Sequence, residues 1–156
     1  MVIELLSLEN LDKLVEFEKM ARVSEPDTFL DELDSEKFRN ETFTALQNLN
    51  YSSARCMLCL DDTDGNIIGR LDFSILSSFA FGGDLRAYID WVYVLKDYRH
   101  KGVARFLFKH MEEHLTLLGI NEYFLIAAEN QEAQSFYHSI NDSRIQKQDI
   151  LTRTFA

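Results

Sequence analysis

The chain has 156 residues, 46% hydrophobic and 27% charged, a balance that builds one core and argues against a disordered chain. Its net charge of −10, with 26 acids against 16 bases, leaves no basic face for a phosphate backbone and argues against nucleic acid as a partner. No run approaches the ~18 apolar residues that span a bilayer, and the acidic start Met1-Val-Ile-Glu4 lacks a basic n-region, so one cytoplasmic domain over residues 1–156, away from membranes, is expected.

A short apolar run over 2–6 suits a strand. Ser7 is then placed to cap a helix, with Leu8, Leu11, Leu14, Val15 and Phe17 at helical spacing through about Arg22. An acidic stretch follows, Glu25, Asp27, Asp31, Glu32, Asp34 and Glu36, around Pro26, the one proline. Such a run is ordinarily a solvated face, and alternatively concentrates cations. A second helix is predicted over 35–49, carrying Phe38, Phe43, Leu46 and Leu49.

The middle of the chain changes period. Residues 54–60 and 67–76 alternate as strands around Asp61-Asp-Thr-Asp-Gly65-Asn66, which predicts a β-hairpin. Cys56 and Cys59 form a lone C-x-x-C; with no second pair, and with positions three apart on opposite strand faces, strand packing is the better account than metal or redox chemistry. Residues 77–84 read as a loop and 85–95 as a long strand. A helix over 102–119 follows, then a strand over 123–128, a short helix over 130–140 and a last strand over 150–155. An antiparallel first half and a crossover second half predict an α/β fold, a mixed sheet covered by helices.

Most informative is Tyr93-Val-Leu-Lys-Asp-Tyr-Arg-His-Lys-Gly-Val-Ala104. A strand ends, a loop with bases and a glycine intervenes, and a long helix begins. Unpaired amides and the positive helix end suit a phosphate there, although composition alone equally fits a plain strand-to-helix connection. Neither the G-x-x-x-x-G-K-[ST] nor the G-x-G-x-x-G spacing is present, so a nucleoside triphosphate loop and a dinucleotide fingerprint are not supported. His110-Met-Glu-Glu113-His114 has the H-x-x-E-H spacing of some zinc peptidases. It lacks a third ligand and flanks an apolar stripe, so a half-exposed structural pair is expected and no metal is assigned.

Arg99-His-Lys-Gly102-Val-Ala104 after Val92-Tyr-Val94, followed by Asn130-Gln-Glu-Ala133-Gln-Ser-Phe136-Tyr137, resembles the GNAT acetyltransferase superfamily. The family carries [Q/R]-x-x-G-x-[G/A] after a strand and N-x-x-A-x-x-[F/L]-Y on a later helix. The chain departs after Tyr137, where His-Ser-Ile-Asn replaces the family's Lys-x-G-F.

The resemblance implies a GNAT-like acyl-CoA N-acyltransferase fold, with about six or seven strands and about four helices. It implies acetyl-CoA as co-substrate and acetyl transfer to a primary amine in a ternary complex, the acceptor a small cation such as a polyamine or aminoglycoside. A CoA-binding sensor or scaffold of the same fold is the alternative, and a homodimer is compatible. Val92, Tyr93 and Val94 would offer main chain to the pantetheine arm. The Arg99 loop, with amides from His100, Lys101, Gly102, Val103, Ala104 and Arg105, would hold the pyrophosphate. Asn130 and Ala133 would lie by the cofactor, and Tyr137 would protonate the sulfur. Alkylamines are protonated at neutral pH, so a base is needed. Asp90, on the strand before the loop, is the candidate, with an ion-pair or solvated role equally open; Asp72 and Glu129 are weaker candidates. Strand alternation would put Tyr88, Asp90 and Val92 on one face.

Overall fold

The computed structural model describes residues 1–29, 31–48, 53–77, 85–146 and 152–153. It divides into two compact units, Met1–Leu125 and Ile126–Ala156. The first holds a five-stranded sheet in the order β1 (Val2–Leu5), β2 (Ala54–Leu60), β3 (Ile67–Ser77), β4 (Leu85–Val94) and β5 (Tyr123–Leu125). The first four strands are antiparallel neighbours, and β5 lies parallel to β4. Helices α1 (Leu11–Ser24), α2 (Ser35–Gln47) and α3 (Val103–Leu117) belong to this unit, and α4 (Gln131–His138) to the second. This is the expected mixed α/β fold, with four α-helices among the described residues. Among the described residues the strands number five rather than six or seven. The strand expected over 150–155 lies, apart from Thr152 and Arg153, outside the described residues, as does the loop over 78–84.

The first helix begins later than its apolar spacing suggests. Asn10, not Ser7, stands at its N-cap position: the Asn10 amide oxygen accepts from the Ser7 backbone N–H at 2.8 Å, and its NH2 donates to the Leu5 carbonyl at 3.0 Å. That knot folds residues 8–10 into turns, and Leu8 ends half exposed. At the other end Pro26 disfavours helical geometry in the residue before it, so Glu25 leaves the helix at φ −141°, ψ 67°.

The sheet has an α1 side and an α3 side. Leu14, Phe17, Ala21, Leu58, Leu60, Ile67, Tyr93 and Leu95 form the core against α1. On the other side Gly69 lies under Val103 and Leu107 of α3, and Phe73 meets the His114 ring edge-on. Cys56 pairs across the ladder with Asp72 and Cys59 with Gly69, so the two thiols point to opposite faces as expected, and both are free. Burial pushes the Cys59 thiol up to about 11 and Cys56 well above its usual value, which makes both poor nucleophiles.

Strand alternation along β4 is interrupted. Asp72 pairs with Trp91 and Phe73 with Ile89, which leaves Asp90 as the extra residue of a β-bulge. The bulge reverses the side-chain phase. Tyr88, Trp91 and Tyr93 share the α1 side, whereas Val92 moves with Ile89 to the α3 side. Tyr88, Asp90 and Val92 therefore do not form one regular stripe.

Candidate active site

The parallel pairing of β4 with β5 covers only Ala87 to Ile89, opposite Tyr123 to Leu125. Strand β4 runs on to Val94 beyond that register, through the bulge. A single 3-10 turn, Lys96–Tyr98, follows, and the chain then reverses through Arg99 and His100 to Gly102. His100 takes φ 58° and Gly102 φ 82°, two left-handed residues within three positions. That conformation costs little for glycine and more for histidine.

Gly102 is the N-cap residue of α3, and no side chain caps the helix. The Phe106 N–H takes the Gly102 carbonyl at 2.9 Å as the first helical bond, so the amides of Val103 to Arg105 precede any intrahelical acceptor. A Cβ built at Gly102 would meet nothing within 4 Å. No acid occupies the first turn. Open space, an uncapped helix end and its positive dipole are together compatible with an anion.

Side chains around this turn are largely spoken for. Val103 is buried against Gly69, and Tyr93 is buried with its hydroxyl donating to Glu25 at 2.6 Å. Both can reach a ligand only through their main chain. Lys101 places its ammonium 5.1 Å from the Tyr98 ring. Arg99 forms a two-pronged ion pair with Glu25, Nη1 to Oε1 at 2.9 Å and Nη2 to Oε2, while its Nε donates to the Val94 carbonyl at 3.1 Å. Burial by itself would raise the Glu25 carboxyl; hydrogen bonds from Arg99 and Tyr93, with the Arg99 and Lys96 charges, outweigh it and hold the group below its usual range. Burial and the Glu25 contact push the Tyr93 phenol up to about 12.

Sequence reading missed Glu25, which it counted only within the acidic run. No local signal pairs it with Arg99, 74 positions away. It also missed the neighbouring aromatics. Phe29 packs edge-on to Tyr93 at 5.3 Å and tilted on half-exposed Trp91 at 6.3 Å.

Asp90, at the bulge, is exposed, and its Oδ2 accepts from the Ser74 hydroxyl at 3.1 Å. Asp72 is different. The Arg70 Nε donates to both its carboxylate oxygens at 3.0 Å, and Arg70 Nη1 continues to buried Glu18 at 2.8 Å, where Arg22 also donates at 2.6 Å. The Asp72 carboxylate is thus held within an ion network that reaches α1.

His110 bonds the Phe106 carbonyl through Nδ1 at 2.9 Å, and its ring lies 4.3 Å from that of Phe106. His114 faces Phe73. The two histidines are thus built into the packing of α3. Among the described residues no helix is long and apolar enough to cross a membrane.

In the second unit, Asn130 caps α4 by accepting from the Ala133 N–H at 2.8 Å. Gln134 secures the approach to the helix through the Ala128 carbonyl at 2.6 Å. Tyr137 is half-buried beside Phe136, with ring centroids 5.7 Å apart, and burial raises its phenol.

The model of the Acetyltransferase (GNAT) family matches residues 15–141. This chain belongs to that family. No curated protein matches it. Among solved structures the GNAT chain is similar to a probable acetyltransferase, at 20% identity and TM-score 0.80 over 100% of this chain and 99% of that one. It is similar to an aminoglycoside acetyltransferase from an uncultured soil metagenomic sample, at 19% identity and TM-score 0.77 over 99% and 96%. A ribosomal-protein-alanine N-acetyltransferase from Brucella melitensis biovar Abortus 2308 follows at 19% and 0.72, over 98% and 100%. Likeness at this identity establishes the GNAT fold.

Proposed function

We propose that the protein is an acetyl-CoA-dependent N-acetyltransferase, its residues 1–156 acting as one domain, and that its acceptor is a primary amine on a small cation such as a polyamine or aminoglycoside. The observation that carries this is the uncapped, open turn at Gly102, with φ 82° and no atom where a Cβ would stand. Family membership and the aminoglycoside acetyltransferase among the similar structures support it.

When bound, acetyl-CoA supplies the acetyl group and leaves as the thiol. Main-chain amides of His100 to Arg105 would hold its diphosphate, and the Val92 to Val94 main chain, beyond the β5 register, would take the pantetheine arm as an added strand does. Asn130 and Ala133, at the start of α4, would contact the cofactor, as the family resemblance implies. Arg99 acts by holding the turn in place, since its guanidinium is committed to Glu25 and Val94. Asp90 accepts the proton that the ammonium must lose before it attacks. Tyr137 would donate its proton to the departing sulfur, and burial, which raises its phenol, keeps that proton in place at neutral pH.

Thiol release measured with acetyl-CoA and a panel of polyamines, aminoglycosides, amino acids and peptide amines tests the reading. Turnover with a cationic small amine is expected. Binding of acetyl-CoA without thiol release for any acceptor would instead make the chain a sensor or scaffold. Tyr137→Phe should lower kcat by about 100-fold or more while acetyl-CoA affinity stays within about twofold.

A further inference from the structure

Glu25 ends α1 and opens the acidic stretch, yet its carboxylate is directed inward. It receives both terminal nitrogens of Arg99 and the Tyr93 hydroxyl, and its side chain is only 17% exposed. Arg99 in turn grips the Val94 carbonyl and lies over the Tyr93 ring at 5.5 Å. From the same short stretch, Phe29 seats on Trp91 and Tyr93, and the Arg22 guanidinium covers its ring at 4.7 Å. The segment from Glu25 to Phe29 is therefore fastened at two points to the end of β4. One fastening, Arg99, is the first residue of the turn that leads to Gly102. The fork fixes the Arg99 rotamer, because paired guanidinium and carboxylate bonds set orientation as well as distance.

We propose that Glu25 is a positioning residue that locks the turn from Arg99 to Gly102 in its amide-presenting shape and ties the order of that turn to the order of the acidic segment after α1. The proposal rests on the reading of this turn as the acetyl-CoA site. Its physical content is coupling. With the fork intact, the left-handed conformations at His100 and Gly102 are held from outside the turn; without it, the turn samples other shapes and must be ordered again when ligand binds. A ligand that orders one segment thereby lowers the cost of ordering the other.

The test is a double-mutant cycle read by calorimetry with acetyl-CoA and by amide hydrogen exchange without it. Glu25→Gln and Arg99→Gln are each expected to weaken acetyl-CoA binding about tenfold. The double variant should bind no worse than either single, since both remove one device. The exchanged pair, E25R with R99E, should recover part of the loss. In the free protein, E25Q should speed exchange of the amides at His100 to Gly102 together with those at Asp27 to Phe29. Melting curves identify variants that fail to fold, and the exchanged pair then carries the comparison. Unchanged affinity and unchanged exchange at residues 100–102 in E25Q, or additive single losses, would overturn the proposal. If the unaltered protein gives no heat with acetyl-CoA while E25Q still loosens both segments, the cofactor reading fails and the coupling stands as a structural fact alone.

Discussion

A Cβ placed on Gly69 would lie 2.7 Å from Val103 Cγ1 and 3.1 Å from Leu107 Cδ1. Strand β3 and the start of α3 are therefore in contact at their closest possible approach. That contact sets the height of the α3 amino terminus above the sheet and, with it, the place of the Gly102 turn. Gly69→Ala should push α3 outward and cost about 1–3 kcal/mol of stability. A urea midpoint unchanged from the parent protein would show that α3 yields freely there.

Gly102 is a different case, because an added methyl meets open space. Gly102→Ala is expected to cost only the strain of a left-handed alanine, about 1–2 kcal/mol. Its effect on ligand should be larger than its effect on folding. On the proposed reading the Cβ would occupy ground that the diphosphate needs, so acetyl-CoA affinity should fall by about tenfold or more. Equal affinity by calorimetry would move the diphosphate away from this turn.

The ion network under α1 gives a stability prediction. Arg70 stands between Glu18 and Asp72, with its own side chain 16% and that of Glu18 7% exposed. Arg70→Met removes the cation that joins the Glu18 and Asp72 carboxylates, and Arg22 remains paired with Glu18. Loss of about 3–5 kcal/mol is expected. A loss under about 1 kcal/mol in denaturant unfolding would mean that methionine packing replaces the network at no cost.

Acid should act through Glu25. Its carboxyl is held below the ordinary 4.5 when folded, so folding binds fewer protons there than unfolding does. The resulting stabilisation is complete above about pH 4.5 and is lost as pH falls through the depressed folded value. Glu25→Gln is thus expected to be less stable than the parent protein at neutral pH and to converge with it in acid. Parallel stability curves across that range would remove the charge from the account.

Local chemistry made most of the fold readable. The hairpin at Asp61 to Asn66 announced itself through its turn residues: the Asp61 N–H takes the Asn66 carbonyl at 2.9 Å, and Gly65 has φ 69°. Gly102 and Gly119 bracket α3 with positive φ as helix-flanking glycines do, and Asn130 caps α4. The turn from Arg99 to Gly102 was legible as a turn for the same reason, since a strand, a basic glycine loop and a helix occupy one continuous stretch.

Other features depended on residues remote in the chain. The bulge at Asp90 follows from the pairing of β4 with Asp72 and Phe73, and alternation along β4 alone gives no sign of it. Arg99 reads as a loop cation until Glu25 is brought to it, and Asp72 reads as a free acid until Arg70 and Glu18 close around it. Patterns of period two or 3.6 encode which face a residue takes within its own element, because backbone geometry alone generates those periods. Which charge meets which, and where a ladder admits an extra residue, depends on the docking of elements that share no local pattern, and only the folded arrangement decides it.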